Sequence, residues 1–145
     1  MGDRNKNKTL PFEVERGFSA LPSAVCEYYV RHPRFTPATE RIYRYLLQRY
    51  NAEYGYAWPS WSTIIRDCNV SRGTVKSSLE SLEYLELIER TKFDKDGEWD
   101  NNGYRFIKPI ENEQEFYRKY SDELPEKYRK DAEDVAEIDD IERWL

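Results

Sequence analysis

The fold is decided by residues 58–90, which read WPSWSTIIRDCNVSRGTVKSSLESLEYLELIER. Apolar residues recur there at helical spacing in two runs, separated by a short polar turn at residues 69–71. The two runs consist of Ile64, Ile65 and Cys68, then Val75, Leu79, Leu82 and Leu85. Ser60 and Ser71 precede the runs, where a serine hydroxyl accepts a hydrogen bond from a free backbone N–H of the following helix. The pattern predicts two helices joined by a tight turn, a helix-turn-helix.

A β-hairpin is predicted directly after the second helix. Residues 87–93, LIERTKF, precede Asp96-Gly97, a pair typical of tight turns because glycine readily adopts positive φ. Residues 98–108 follow the turn. The apolar side chains expected to pack on the helices are Leu87, Trp99, Phe106 and Ile107. A helix-turn-helix followed by a hairpin is a winged helix, so the predicted fold class is α+β, mostly α.

The motifs of this segment resemble those of a known group of winged-helix domains. They are Tyr56-Ala57-Trp58-Pro59-Ser60, Ser71-Arg72-Gly73-Thr74-Val75, Leu79, Leu82 and Leu87-Ile88-Glu89-Arg90. Residues 38–108 are similar to the N-terminal domains of phage and plasmid replication proteins and of DnaD-like primosome proteins. More broadly, they resemble bacterial regulators of the GntR and MarR type. That group usually has glycine where this chain has Glu86, so either Glu86 is left-handed or the helix ends differently.

Three parts are predicted: an N-terminal arm at 1–20, a winged-helix domain at 21–109 and an acidic helical tail at 110–145. Residues 21–30 predict an extra N-terminal helix, which His32-Pro33 ends because a residue before proline leaves the helical region. The basic start of the arm, with Arg4, Lys6 and Lys8, is interpreted as a frayed terminus, with contact to DNA backbone as the alternative. Residues 10–18 alternate weakly and suggest an extended piece.

The next helix is predicted to begin at Thr36-Pro37, with Thr36 as its cap. Its apolar face is expected to contain Ala38, Ile42, Leu46 and Tyr50, widened by Tyr43 and Leu47. Its arginines, at 41, 44 and 49, are interpreted as solvated surface, with backbone contact to DNA as the alternative. Trp58 and Trp61 are expected in the core or at its edge.

The charge is distributed unevenly. The whole chain carries a net charge of −5, yet residues 111–145 hold 13 acidic and 6 basic side chains, and residues 1–110 hold 15 acidic and 17 basic ones. The net charge is therefore a poor guide to any binding face. The tail predicts a helix at 113–120 carrying Phe116, Tyr117 and Tyr120. It then predicts an amphipathic helix that folds back, self-associates as a homodimer or docks on a protein partner through Val135, Ile138, Ile141, Trp144 and Leu145.

The resemblance implies that the second helix of the motif enters the major groove of double-stranded DNA. The implied DNA-binding residues are Ser71, Arg72, Gly73, Thr74, Lys76 and Ser77, with Lys92 and Lys95 from the wing. Arg72 suits a bidentate contact to guanine, and the others suit phosphates, base edges or close approach. Asp94 and Asp96 at the wing tip predict that the wing grazes the DNA backbone at most, or contacts protein. The alternative for all these charges is a solvated surface.

Enzyme chemistry finds little support in the sequence, and we predict no catalytic, cofactor-binding or metal-binding residues. The single histidine, His32, is interpreted as a turn residue, and Cys26 and Cys68 as reduced thiols. No apolar run approaches the length of a membrane span, and the start lacks the apolar core of a signal peptide, so a cytoplasmic protein is expected.

The leading hypothesis is a non-enzymatic DNA-binding protein of phage, plasmid or mobile-element type, acting in replication initiation or primosome assembly. One alternative is a dimeric transcriptional regulator that binds an operator. The other is an interaction module that uses the winged helix and the acidic tail without binding DNA, because fold alone does not settle function.

Overall fold

The computed structural model describes residues 10–95, 98–129 and 134, and for residues 92–95 and 98–102 it describes the backbone alone. Five helices and one antiparallel two-stranded sheet occur in this part of the chain. They are α1 (Ser23–Glu27), α2 (Pro37–Gln48), α3 (Trp61–Cys68), α4 (Arg72–Tyr84), β1 (Ile88–Lys95), β2 (Glu98–Phe106) and α5 (Glu113–Tyr120). The predicted fold class, a mostly helical α+β winged helix-turn-helix, is confirmed.

Three helices begin at the hydroxyl-bearing residues that the sequence predicted. Thr36 precedes α2, Ser60 precedes α3 and Ser71 precedes α4, and each hydroxyl accepts a hydrogen bond from the backbone N–H three residues later, at 3.1 to 3.2 Å. Each bond satisfies one of the N–H groups that a helix start leaves without an intrahelical partner. The cap at Ser71 therefore explains why α4 begins directly after the polar turn at residues 69–71.

Glu86 lies just after α4, at the position where the resembling domains usually have glycine. Glu86 adopts φ of +55°, the left-handed conformation that glycine favours. Its N–H donates to the carbonyl of Glu83, and the N–H of Leu87 donates to the carbonyl of Leu82, both at 3.0 Å. These two bonds form a Schellman motif, and its usual apolar contact pairs Leu82 with Leu87, both fully buried. The chain thus turns sharply from α4 into β1 even though the position is not glycine.

The core lies where α2 and α3 pack against α4. The stripe of Val75, Leu79 and Leu82 is fully buried, as predicted, together with Ile42, Leu46 and Ile64. The predicted burial of Tyr50 is wrong: α2 ends at Gln48, so Tyr50 lies beyond the helix and is 47% exposed. Thr39 and Tyr45 are buried on α2 instead, whereas Ala38 and Leu47 are half-buried.

The hairpin pairs Ile88 with Phe106 at its base and Lys95 with Glu98 near its tip. The predicted turn residues, Asp96 and Gly97, lie outside the described residues, as does the side chain of Trp99. The prediction that Ile107 packs on the helices is wrong, because β2 has ended at Phe106 and Ile107 is exposed. Tyr104 is fully buried instead, and its backbone exchanges two hydrogen bonds with Ala57, at 2.7 and 3.0 Å.

The segment after the wing joins the core. The predicted helix at 113–120 is confirmed as α5, and Phe116, Tyr117, Tyr120 and Leu124 are buried in the same cluster as the helix-turn-helix. The boundary predicted at residue 109 therefore does not separate a tail from the domain, because the aromatic side chains of α5 are buried in the same cluster as those of the helix-turn-helix. The amphipathic stripe at Val135, Ile138, Ile141, Trp144 and Leu145 lies outside the described residues.

The N-terminal arm is described from residue 10 onwards, and Arg4, Lys6 and Lys8 lie outside that range. Residues 10–20 form no helix or strand, so the extended piece is not a strand. The side chains of Leu10, Phe12, Val14 and Phe18 are exposed. The extra N-terminal helix is confirmed as α1, which a short 3₁₀ turn at Tyr29–Arg31 continues up to His32.

His32 is more than a turn residue. It is 3% exposed, and its Nδ1 accepts from the backbone N–H of Arg34 at 3.0 Å, so Nε2 carries the proton and donates to Glu123 at 3.2 Å. Tyr84 donates its hydroxyl to the same carboxylate. Burial lowers the pKa of His32, and the bond from Tyr84 lowers the pKa of Glu123. The neutral imidazole therefore joins the N-terminal segment to α4 and to the turn after α5.

Candidate nucleic-acid interface

Helix α4 presents two faces of different character. Val75, Ser78, Leu79, Ser81 and Leu82 are buried against the core. The opposite side, which we call the exposed face of α4, consists of Ser71, Arg72, Gly73, Lys76, Ser77 and Glu80. Thr74 lies between the two and is half-buried. The structure therefore brings five of the sequence-predicted α4 residues onto one surface, with the sixth, Thr74, at its border.

Arg72 lies at the first position of α4 and is placed by a tryptophan. Its guanidinium carbon lies 5.2 Å from the centre of the Trp61 ring, at the start of α3. Within the described part of the chain Arg72 makes no hydrogen bond or ion pair, so no carboxylate neutralises its charge there. An exposed cation–π contact of this kind contributes about 0.5–1 kcal/mol. It orients the guanidinium without consuming its N–H donors.

Lys76 follows one turn later on the same face. It is exposed and makes no hydrogen bond or ion pair with any described residue. Glu80, a further turn along, supplies the acidic charge of this face but does not pair with Lys76. Arg72 and Lys76 therefore give the first two turns of α4 a positive charge that the described residues leave unneutralised.

The small polar residues of this face are engaged locally. The hydroxyls of Ser71 and Thr74 lie 2.9 Å apart, and the hydroxyl of Ser77 donates to the carbonyl of Thr74 at 3.2 Å. A Cβ placed on Gly73 would meet nothing closer than the Ser71 hydroxyl at 4.0 Å. Internal packing therefore does not explain glycine at this position, which costs a helix about 1 kcal/mol relative to alanine.

The wing contributes Lys92 and Lys95 from β1, whose backbone is described but whose side chains are not. Arg90, at the base of the wing, forms an ion pair with Glu83 of α4. That pair ties the hairpin to the C-terminal part of α4. Arg105, on the paired strand, is exposed.

Two of the arginines that the sequence predicted on α2 have structural partners, Arg41 on the helix and Arg49 at its C-terminal cap. Arg41 donates to the carbonyl of Cys68 at the end of α3, at 3.2 Å, and Arg49 reaches Asp67 at 3.5 Å. Both contacts hold α3 against α2. Sequence reasoning missed these contacts and the Arg72–Trp61 contact, because each joins residues on different helices and helical spacing reports only neighbours on one helix.

Residues 35–88 match a family model described as a helix-turn-helix domain. No curated protein and no solved structure matches the chain. The matched range runs from just before α2 to the first residue of β1, and it includes the whole α3–turn–α4 unit. The match supports a DNA-binding helix-turn-helix domain, with DNA as its partner. It does not distinguish replication from transcription.

Two kinds of feature are absent from residues 10–95, 98–129 and 134. In this part of the chain no group of three or more His, Cys, Asp or Glu side chains is placed to hold a metal ion. No helix of the same residues is long and apolar enough to cross a bilayer.

Proposed function

We propose that the protein binds double-stranded DNA by inserting the N-terminal half of α4 into the major groove. The observation that carries the proposal is the unneutralised charge of Arg72 and Lys76 on the exposed face of a capped, well-packed helix. The major groove is about 12 Å wide and admits a helix. The helix N-terminus also directs free backbone N–H groups towards phosphate.

Each residue of the exposed face has a role in this proposal. Arg72, which the ring of Trp61 orients, pairs its fork with guanine O6 and N7. Lys76 binds a phosphate of the next turn, and Gly73 allows close approach of the helix backbone to the groove. Ser71, Thr74 and Ser77 offer hydroxyl oxygens near the same phosphates, and Lys92 and Lys95 contact the DNA backbone from the wing.

The biological role that we propose is replication initiation or primosome assembly in a phage, plasmid or other mobile element. It rests on the sequence resemblance to DnaD-like and related replication domains, and the geometry of α4 is compatible with it. A dimeric operator-binding regulator is distinguished by its footprint, which would show two half-sites about one helical turn apart. A replication initiator would show repeated sites or a preference for single-stranded DNA, and would bind a helicase loader or a polymerase.

The test begins with selection of bound fragments from a random duplex library, followed by sequencing. Binding of the selected duplex is then measured by fluorescence anisotropy over a range of salt concentrations, for the wild type and for Arg72→Ala, Lys76→Ala and Arg129→Ala. Arg72→Ala should relax base preference at one position, at a cost of about 1–3 kcal/mol. Lys76→Ala should weaken all sequences alike and reduce the salt slope by about one.

Arg129→Ala is the matched control, because Arg129 is exposed, follows α5 in the chain and does not belong to the exposed face of α4. It should leave both affinity and salt slope unchanged. If Arg72→Ala binds the selected duplex with wild-type affinity and preference, the groove assignment is wrong. If the wild type shows no salt-sensitive DNA binding at all, the protein-interaction alternative replaces the proposal.

A further inference from the structure

Trp61 lies at the first position of α3, beside the first turn of α4. The backbone before it is fixed by Ser60, whose hydroxyl caps α3. The Trp61 side chain is half-buried and packs against the core. The fold therefore holds the indole ring in place before any ligand binds.

The indole N–H of Trp61 is buried and has no hydrogen-bond partner among the described residues. A buried indole N–H usually has a partner, because a buried donor without an acceptor costs free energy. Phenylalanine or leucine would fill the edge of a core without that cost. Packing alone therefore does not explain why a tryptophan stands at position 61.

The ring face of Trp61 does have a partner. The guanidinium carbon of Arg72 lies 5.2 Å from the ring centre, and no other cation or aromatic ring lies against this indole within the described part of the chain. Tryptophan is the best of the aromatic side chains as a partner for a cation. The contact with Arg72 therefore accounts for the residue type where packing does not.

Orienting an arginine in advance affects a base contact more than a phosphate contact. An arginine loses rotamer freedom when a ligand immobilises it, and an arginine that is already oriented loses less. A bidentate bond to guanine O6 and N7 requires the guanidinium in one plane, whereas a phosphate contact carries no sequence information. The Trp61 ring should therefore favour base discrimination by Arg72 more than general affinity for DNA.

We propose that Trp61 is a positioning residue that sets the base preference of the exposed face of α4. It acts through Arg72, whose fork it holds for guanine, and not by touching a base. The inference rests on the proposed insertion of α4 into the major groove, and it adds the determinant of specificity. The preferred duplex should contain a guanine that Arg72 reads, and discrimination at that base pair should depend on both side chains.

The test measures binding of two duplexes to the full chain by fluorescence anisotropy. One is the selected duplex, and the other has adenine–thymine in place of the guanine–cytosine pair at which Arg72→Ala relaxes base preference. The ratio of the two affinities is the discrimination. Trp61→Leu keeps apolar bulk but removes the ring, whereas Trp61→Phe keeps a ring without the indole N–H. Urea unfolding shows that each variant is folded under the binding conditions.

The matched control is Trp58→Leu, the same substitution at the tryptophan before α3. The ring of Trp58 lies against those of Tyr54 and Tyr56, at 5.3 and 5.6 Å between ring centres, and not against Arg72. A loss of aromatic packing before α3 therefore occurs in this variant without a change to the arginine's partner.

Trp61→Leu should lower the discrimination about two- to fivefold, the fold-change that corresponds to an exposed cation–π contact. Trp61→Phe should keep most of the discrimination, and Trp58→Leu should keep all of it. The salt slope should equal that of the wild type in every variant, because Arg72 and Lys76 keep their charges. Unchanged discrimination in Trp61→Leu, or an equal fall in Trp58→Leu, would overturn the proposal.

A double-mutant cycle shows whether Trp61 acts through Arg72. In the Arg72→Ala protein, the further change Trp61→Leu should leave the remaining discrimination unchanged, because the arginine that the ring orients is absent. Additive losses would show that Trp61 acts independently and would overturn the proposal. A wild type that binds no duplex refutes the major-groove proposal itself, whereas a guanine preference that survives Trp61→Leu refutes this inference alone.

Discussion

The two ends of α4 are held in opposite ways. At the C-terminal end, Tyr84 donates to Glu123, the carbonyl of Leu85 accepts from Tyr120 at 3.2 Å, and Lys119 reaches Glu86 at 2.6 Å. At the N-terminal end, the cap at Ser71 is local and the described contact of Arg72 with another element is the ring of Trp61. The C-terminal end is therefore anchored by α5 and the turn that follows it, whereas the N-terminal end exposes the positive charges of Arg72 and Lys76.

This difference has a physical consequence for binding. A helix fixed at its far end loses little further freedom when its near end meets a ligand, so less binding free energy is spent on ordering. Substitutions at the C-terminal end should therefore change stability, and substitutions at the N-terminal end should change DNA affinity. Each of the following predictions tests that separation.

The largest effect is expected from Tyr120→Phe. The substitution keeps the buried ring but removes the hydroxyl that donates to the carbonyl of Leu85. A buried acceptor left without its donor costs about 1–3 kcal/mol, so urea unfolding should show a loss of that size. Tyr128→Phe is the matched control, because that ring is half-buried and its hydroxyl makes no hydrogen bond with any described residue. Equal losses in the free energy of unfolding in both variants would show that the bond from Tyr120 to the carbonyl of Leu85 is not the cause of the loss.

A smaller effect is expected from acidification, through His32. Its pKa is lowered in the folded state by burial, so the unfolded chain binds the proton more readily. Stability should thus be full above about pH 6.5 and fall as the pH drops below that value, with a slope of at most about 1.4 kcal/mol per pH unit. Glu123, whose pKa is also lowered, adds a loss of the same sign at lower pH.

The check for His32 is urea unfolding at pH 7.5 and pH 5.5. His32→Gln should be less stable than the wild type at pH 7.5 but should lose less on going to pH 5.5. An identical pH dependence in the two proteins would remove His32 from this account.

The smallest effect on stability is expected from Gly73→Ala at the N-terminal end. Alanine should stabilise α4 by up to about 1 kcal/mol, since a Cβ there meets no close neighbour. DNA affinity should nevertheless fall, because the methyl group stands between the helix and the groove. The counterpart at the other end, Glu86→Gly, relieves a left-handed strain of about 1–2 kcal/mol and removes the exposed ion pair with Lys119, which contributes at most about 1 kcal/mol. The fold should therefore be stabilised slightly, without a change in DNA affinity. Tighter DNA binding by Gly73→Ala would contradict the close approach.

Local features of the fold could be predicted from the sequence, and contacts between distant segments could not. The caps at Thr36, Ser60 and Ser71 and the stripe of α4 depend on residues three or four positions apart, so the pattern reveals them. The bond between His32 and Glu123 joins residues 91 positions apart, and no period records it. The contact between Arg72 and the ring of Trp61 also joins two helices, and the sequence pattern does not reveal it. This contact distinguishes an arginine that is held in one orientation from an arginine that is only solvated. The sequence therefore predicted which residues share the exposed face of α4, but not the contacts that support that face.

The most direct test of the account compares two charge reversals, Lys76→Glu at the N-terminal end of α4 and Lys119→Glu beside its C-terminal end. Both change the net charge equally, and circular dichroism confirms that each variant is folded. The account predicts that Lys76→Glu lowers affinity for the selected duplex on the order of tenfold at low salt, whereas Lys119→Glu binds almost as the wild type does. Equal losses in the two variants, or a loss in Lys119→Glu alone, would contradict it.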